Sequence, residues 1–222
     1  MRKVLRDNGL ALFFFALLIG SLVGQLVTGQ HAYNEEALLH GTEPVSLGRY
    51  LFSSEFGRAV LENWQSEYLQ FSLFLLATIW FVQRGSPESK DEPGPESDKE
   101  AKVGRHAPKT GPRWARVGGW RTVLYSYSLL IVCSAIFIAS WAGHSVTGWT
   151  EYNHDQAEHG ESAVTWAEYV QRPTFWEQTF QNWQSEFLVV GSLAVFAVYL
   201  RARGATESKP VGTPHDSTGV SN

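Results

Sequence analysis

Cysteine is nearly absent from this chain of 222 residues, where Cys133 stands alone. No intrachain disulfide can form, so cysteine says nothing about redox compartment and cannot staple the fold. Catalytic signatures are also missing. The chain has no Gly-rich phosphate loop, no nucleophile elbow and no HExxH or CxxC spacing, and so offers no enzyme constellation. It has no basic aromatic surface of the kind that binds nucleic acid. The expectation is a non-enzyme without a cofactor. Charge is missing more selectively. The stretches 10–27, 64–82, 123–146 and 183–200 are nearly free of Asp, Glu, Lys and Arg.

Each of these stretches is close to the ~20 residues, at ~1.5 Å rise, that a helix needs to cross ~30 Å of hydrocarbon. Open strands would leave backbone groups unpaired in lipid, so helices are the reading that fits. The fold class expected is all-α, a polytopic membrane protein with spans at about 9–28, 63–83, 123–147 and 182–201. Trp64, Trp80, Trp120, Trp141, Trp149 and Trp183 fall near span ends, where indole favours the interface. Arg2, Lys3 and Arg6 before the first span imitate a signal peptide, but no small-x-small cleavage site follows. The first span is expected to be retained.

The chain aligns on itself at a shift of 119 positions without a gap. Asn63-Trp64-Gln65-Ser66-Glu67 returns as Asn182-Trp183-Gln184-Ser185-Glu186, and Arg84-Gly85 with Glu88-Ser89-Lys90 returns as Arg203-Gly204 with Glu207-Ser208-Lys209. Residues 10–90 share 26 of 81 identities with their partners, which makes a tandem duplication the economical explanation. The first repeat covers 1–84 and the second 121–203. Two spans per unit give a parallel repeat of two helical hairpins about an axis along the membrane normal.

Lys and Arg set the orientation. The termini and centre hold 15 of them, whereas the two inter-span loops hold only Arg49, Arg58 and Arg172 and, with Glu67 and Glu186, 13 of the 22 carboxylates. The positive-inside rule then places both termini and the linker in the cytoplasm. The linker 85–120 is rich in Pro, Lys and Glu, and with the tail 204–222 it is expected to be disordered. The basic second half of the linker, with Trp114 and Trp120, suits anionic lipid. The bilayer is the expected partner, together with a second copy or another membrane protein.

Ala16, Gly20, Gly24 and Thr28, and their partners Ala135, Ala139, Gly143 and Thr147, recur at four-residue spacing. Small residues in this pattern let helices approach closely in lipid, so spans one and three are expected to pack there. A polar set lies near the outer edge of the hydrocarbon: Glu67, Glu186, Gln65, Gln184, Asn63, Asn182, Gln25 and His144. A carboxylate at that depth is costly and faces the bundle interior or water. The set either carries protons or cations or fixes hairpin geometry through mutual pairing. In the loops, Glu36 with His40 and Asp155 with His159 stand four apart, a spacing open to a transition metal. Both His precede a glycine, which equally marks a helix C-terminus. Residues 47–52 and 166–170 read as short interfacial helices. Ser53 or Ser54 is the expected cap of the helix leading into span two, and Pro173 suits the first turn of the helix that becomes span four.

The twice-present Asn-Trp-Gln-Ser-Glu-(Tyr/Phe)-Leu block, with Arg6, Asn8, Gly9 and Leu10 at the start, resembles a family of uncharacterised bacterial integral membrane proteins, a domain of unknown function. The resemblance spans both repeats and implies a bacterial inner-membrane setting, with no activity to carry over. A scaffold or envelope-associated protein is the first expectation. A proton or cation channel or carrier at Glu67 and Glu186 is the second, and a metal-binding sensor the third.

Overall fold

The computed structural model describes residues 2–221, and only the backbone of 2–4; the side chains of Arg2 and Lys3 lie outside the described residues. The chain is helical, with no strand among the described residues. The first half runs α1 (Arg2–Asp7), α2 (Gly9–Leu39), α3 (Leu47–Leu51) and α4 (Ser54–Trp80). The short α5 (Arg113–Arg116) and α6 (Gly119–Ser126) lead into α7 (Ser128–Glu158), α8 (Trp166–Tyr169) and α9 (Pro173–Tyr199). Helices α2 and α7 each have 31 residues and begin 119 positions apart, as do α4 and α9 with 27 residues each.

Among the described residues, α2 and α7 are long and apolar enough to cross a membrane. Helices α4 and α9 take in 63–80 and 182–199 of the second and fourth expected spans, but they are not among the helices apolar enough to cross a membrane, because Asn63-Trp64-Gln65-Ser66-Glu67 and Asn182-Trp183-Gln184-Ser185-Glu186 are polar. Helix α2 exposes Leu10, Phe13, Phe14, Phe15 and Ile19.

The chain forms two compact units, Met1–Val60 with His144–Trp166, and Leu61–Gly143 with Ala167–Asn222. In the first unit each long helix outlasts its apolar stretch and is stopped by a loop clamp. Asn34 Nδ2 donates to the Val45 carbonyl at 3.0 Å, and the Val45 N–H donates back to Asn34 Oδ1 at 2.7 Å. Asn153 and Val164 repeat this at 3.0 and 2.8 Å. An amide side chain offers both a donor and an acceptor, so it pairs with a backbone as another backbone would. Gly41 and Gly160 follow the helix ends at φ 73° and 71°, where a Cβ would be strained. Ser46 caps α3 by accepting from the Arg49 N–H at 3.3 Å, and Ser53 Oγ accepts from the Phe56 N–H at 3.2 Å to start α4. Pro173 opens α9 as the sequence indicated.

The second unit is built on aromatics. Trp141 stacks on Phe137 and Phe175, with ring centroids 6.0 and 6.1 Å apart, and meets Trp176 edge-on at 6.0 Å. Tyr169 and Phe175 are each 2% exposed. Offset and edge-on ring pairs each add ~0.5–1.5 kcal/mol beyond area burial. In the linker and tail, Ser86, Ser89, Ser208 and Lys209 are buried; Ser89 Oγ and Ser208 Oγ accept from the Gln83 and Ala202 N–H groups, and Lys209 Nζ donates to the carbonyls of Pro214, His215 and Ser217.

Candidate functional site

The repeated block sits on α4 and α9, and the two copies bond to each other. Trp183 Nε1 donates to Gln65 Oε1 at 2.7 Å, and Asn182 Nδ2 donates to Glu62 Oε1 at 2.7 Å. Gln65 and Ser66 are buried, along with Leu69 and Ser72 one and two turns on. That stripe is the inward face of α4. Asn63 and Glu67, which share another face with Gln70 by i, i+4, i+7 spacing, are exposed. Gln184 is also exposed, whereas Glu186 is half-buried, reaches the Ser66 hydroxyl and faces Glu67. Gln65 Nε2 is buried with no hydrogen-bond partner among the described residues.

Gln25 and His144 belong to the other unit, where Gln25 is half-buried and His144 fully buried. Ala16, Gly20, Gly24 and Thr28 are exposed, and a Cβ added at Gly20 or Gly24 would touch nothing within 4 Å. Ala135 and Ala139 are exposed too. Gly143 does permit a close approach, but to α4: its Cβ would lie 2.8 Å from Leu61 Cδ1.

The loop histidines behave as helix ends. The His40 N–H donates to the Glu36 carbonyl at 3.1 Å, and His159 Nδ1 lies 2.8 Å from the Asp155 carbonyl. Neither His is grouped with the acid four residues earlier in a candidate metal cluster. Asp155 instead groups with Glu151 and His154, whose ligand atoms lie within 4.8 Å of one another. Glu151 in turn accepts from Ser54 Oγ at 2.7 Å, and His154 pairs with Glu158 at 3.6 Å.

Sequence reasoning missed Glu62, because its partner position is Gln181 and symmetry gave no signal there.

These features coincide with a family assignment. The chain belongs to the family described as a domain of unknown function (DUF6766), which matches residues 1–220. No curated protein and no solved structure matches it.

Proposed function

We propose that this DUF6766 protein is a non-enzymatic membrane scaffold of four spans, built by duplication of a helical hairpin. Matched helix lengths and loop clamps 119 positions apart support the duplication, and the apolar helices α2 and α7 support the membrane setting. The proposed setting is a bacterial inner membrane, with both termini and the linker in the cytoplasm on the Lys and Arg count. A second copy or another membrane protein is the proposed partner. The observation that carries the scaffold reading is the crossed pair of bonds, Trp183 to Gln65 and Asn182 to Glu62. Trp183 and Asn182 of one block copy spend side-chain hydrogen bonds on α4, which joins helices in lipid without forming an aqueous path.

A double-mutant cycle tests this. Gln65→Ala and Trp183→Phe should each lower stability in detergent by ~1–2 kcal/mol and combine non-additively, while wild-type proteoliposomes pass neither protons nor common cations. Proton or cation flux lost in Glu67→Gln with Glu186→Gln would put a carrier ahead. That second reading rests on half-buried Glu186 facing Glu67, and on a buried Gln65 Nε2 with no hydrogen-bond partner among the described residues.

A further inference from the structure

Helices α5 and α6 lead directly into α7, one of the helices apolar enough to cross a membrane. No Asp or Glu stands between Glu100 and Glu151, while Lys102, Arg105, Lys109, Arg113, Arg116 and Arg121 crowd the first part of that stretch. Like charges at this density repel one another unless a counter-charge is near. The fold supplies none. All six cations are exposed, and none takes part in an ion pair among the described residues. Glu100, the nearest carboxylate along the chain, is spent on its own turn, where it accepts from the Ser97 N–H at 2.9 Å and from the Ser97 hydroxyl at 2.7 Å.

The same stretch is folded into a platform. Ala115 and Thr122 are buried, and Thr122 Oγ1 donates to the Trp114 carbonyl at 2.6 Å, which ties α6 to α5. Gly118 and Gly119 turn the chain between the two helices at φ 73° and 64°, where a Cβ would be strained. With its small residues turned in, the pair leaves its rings and cations outside. Trp114 and Trp120 meet edge-on with centroids 6.3 Å apart, and the Arg121 guanidinium lies 5.4 Å from the centroid of the Trp120 ring. Trp114, Val117 and Trp120 are exposed. An indole beside a cation is poorly placed in bulk water. It suits the headgroup layer of a bilayer, which is apolar on one side and charged on the other.

We propose that α5 and α6 form a docking surface for anionic phospholipid, on which the unpaired cations meet headgroup phosphates while Trp114, Val117 and Trp120 enter the headgroup layer beside the start of α7. The proposal rests on the membrane reading above and deepens it by naming the lipid class. Two observations select lipid as the occupant. The platform adjoins a helix apolar enough to cross the bilayer, on the side that the Lys and Arg count makes cytoplasmic, and a basic cluster in that place lies within reach of anionic headgroups. Its surface also pairs positive charge with exposed rings, which a phosphate above an acyl chain satisfies together. Arg suits the phosphate because its planar fork can bind two oxygens at once.

The test uses the full chain with Cys133→Ser and Val117→Cys, carrying an environment-sensitive fluorophore on the new thiol. It is placed in nanodiscs of phosphatidylcholine alone or with about a third phosphatidylglycerol. Phosphatidylglycerol should shift the emission to the blue, and about 0.5 M salt should undo most of that shift by screening. Arg113→Gln with Arg116→Gln and Arg121→Gln should lose the shift. Arg113→Lys with Arg116→Lys and Arg121→Lys should keep most of it, because the charge remains. The same emission in both lipids, or a shift that survives in the Gln variant, overturns the proposal. So does an equal shift when inorganic phosphate is added to the phosphatidylcholine discs, which would make the surface a site for free anions. A chain that enters neither disc strikes the membrane reading itself, whereas one that enters both without a shift strikes only the lipid preference.

Discussion

The loops that follow α2 and α7 reach the same closure with different side chains. In the first, Gln30 Nε2 donates to the Val45 carbonyl at 2.8 Å; in the second, Trp149 Nε1 donates to the Val164 carbonyl at 2.7 Å. Gln30 and Trp149 are repeat partners, and only a donor at that reach is common to them. The position conserves a hydrogen bond to a turn carbonyl, and the side chain behind it is interchangeable. The Asn34 and Asn153 clamps keep the residue as well as the bond, because two groups of one backbone unit must be met at once. The halves differ more in burial. Phe175 is 2% exposed among Tyr169, Trp141 and Trp176, whereas its partner Phe56 is half-buried against Tyr50.

That asymmetry gives the largest expected effect. Phe175→Ala should cost ~3–5 kcal/mol, in the range of a fully buried aromatic truncation, and Phe56→Ala about half as much, measured by denaturation in detergent. Equal losses would show that the aromatic cluster adds nothing beyond what the first half already has. Next come the clamps. Asn34→Ala and Asn153→Ala each remove two hydrogen bonds and should each cost ~1–3 kcal/mol, nearly equally. An unequal pair would mean that Gln30 and Trp149 do not back them up equally. The smallest effect is at the helix ends. His40→Ala and His159→Ala should change stability by ~0.5 kcal/mol or less, with no change in metal content by elemental analysis. A stoichiometric metal lost in these variants would turn the loops from caps into a metal site.

Much of the helical frame was legible. Apolar stretches located α2 and α7, Pro173 marked the start of α9, and the glycines after His40 and His159 marked helix ends. These are local signals, set by residues within a turn of the feature. The inward face of α4 was not legible. Asn63, Glu67 and Gln70 share a face by spacing as well as Gln65, Leu69 and Ser72 do, and periodicity cannot say which face meets a neighbour. The exposed Gly20 and Gly24 show the same limit, since a small-residue stripe permits close packing without requiring it.

The sequence by itself determined the helical composition and where the helices stop, because these depend on hydropathy and caps within a few residues. Only the tertiary structure decided that Trp183 bonds Gln65 and that Asn182 bonds Glu62. Each joins residues more than a hundred positions apart, beyond the reach of any local signal.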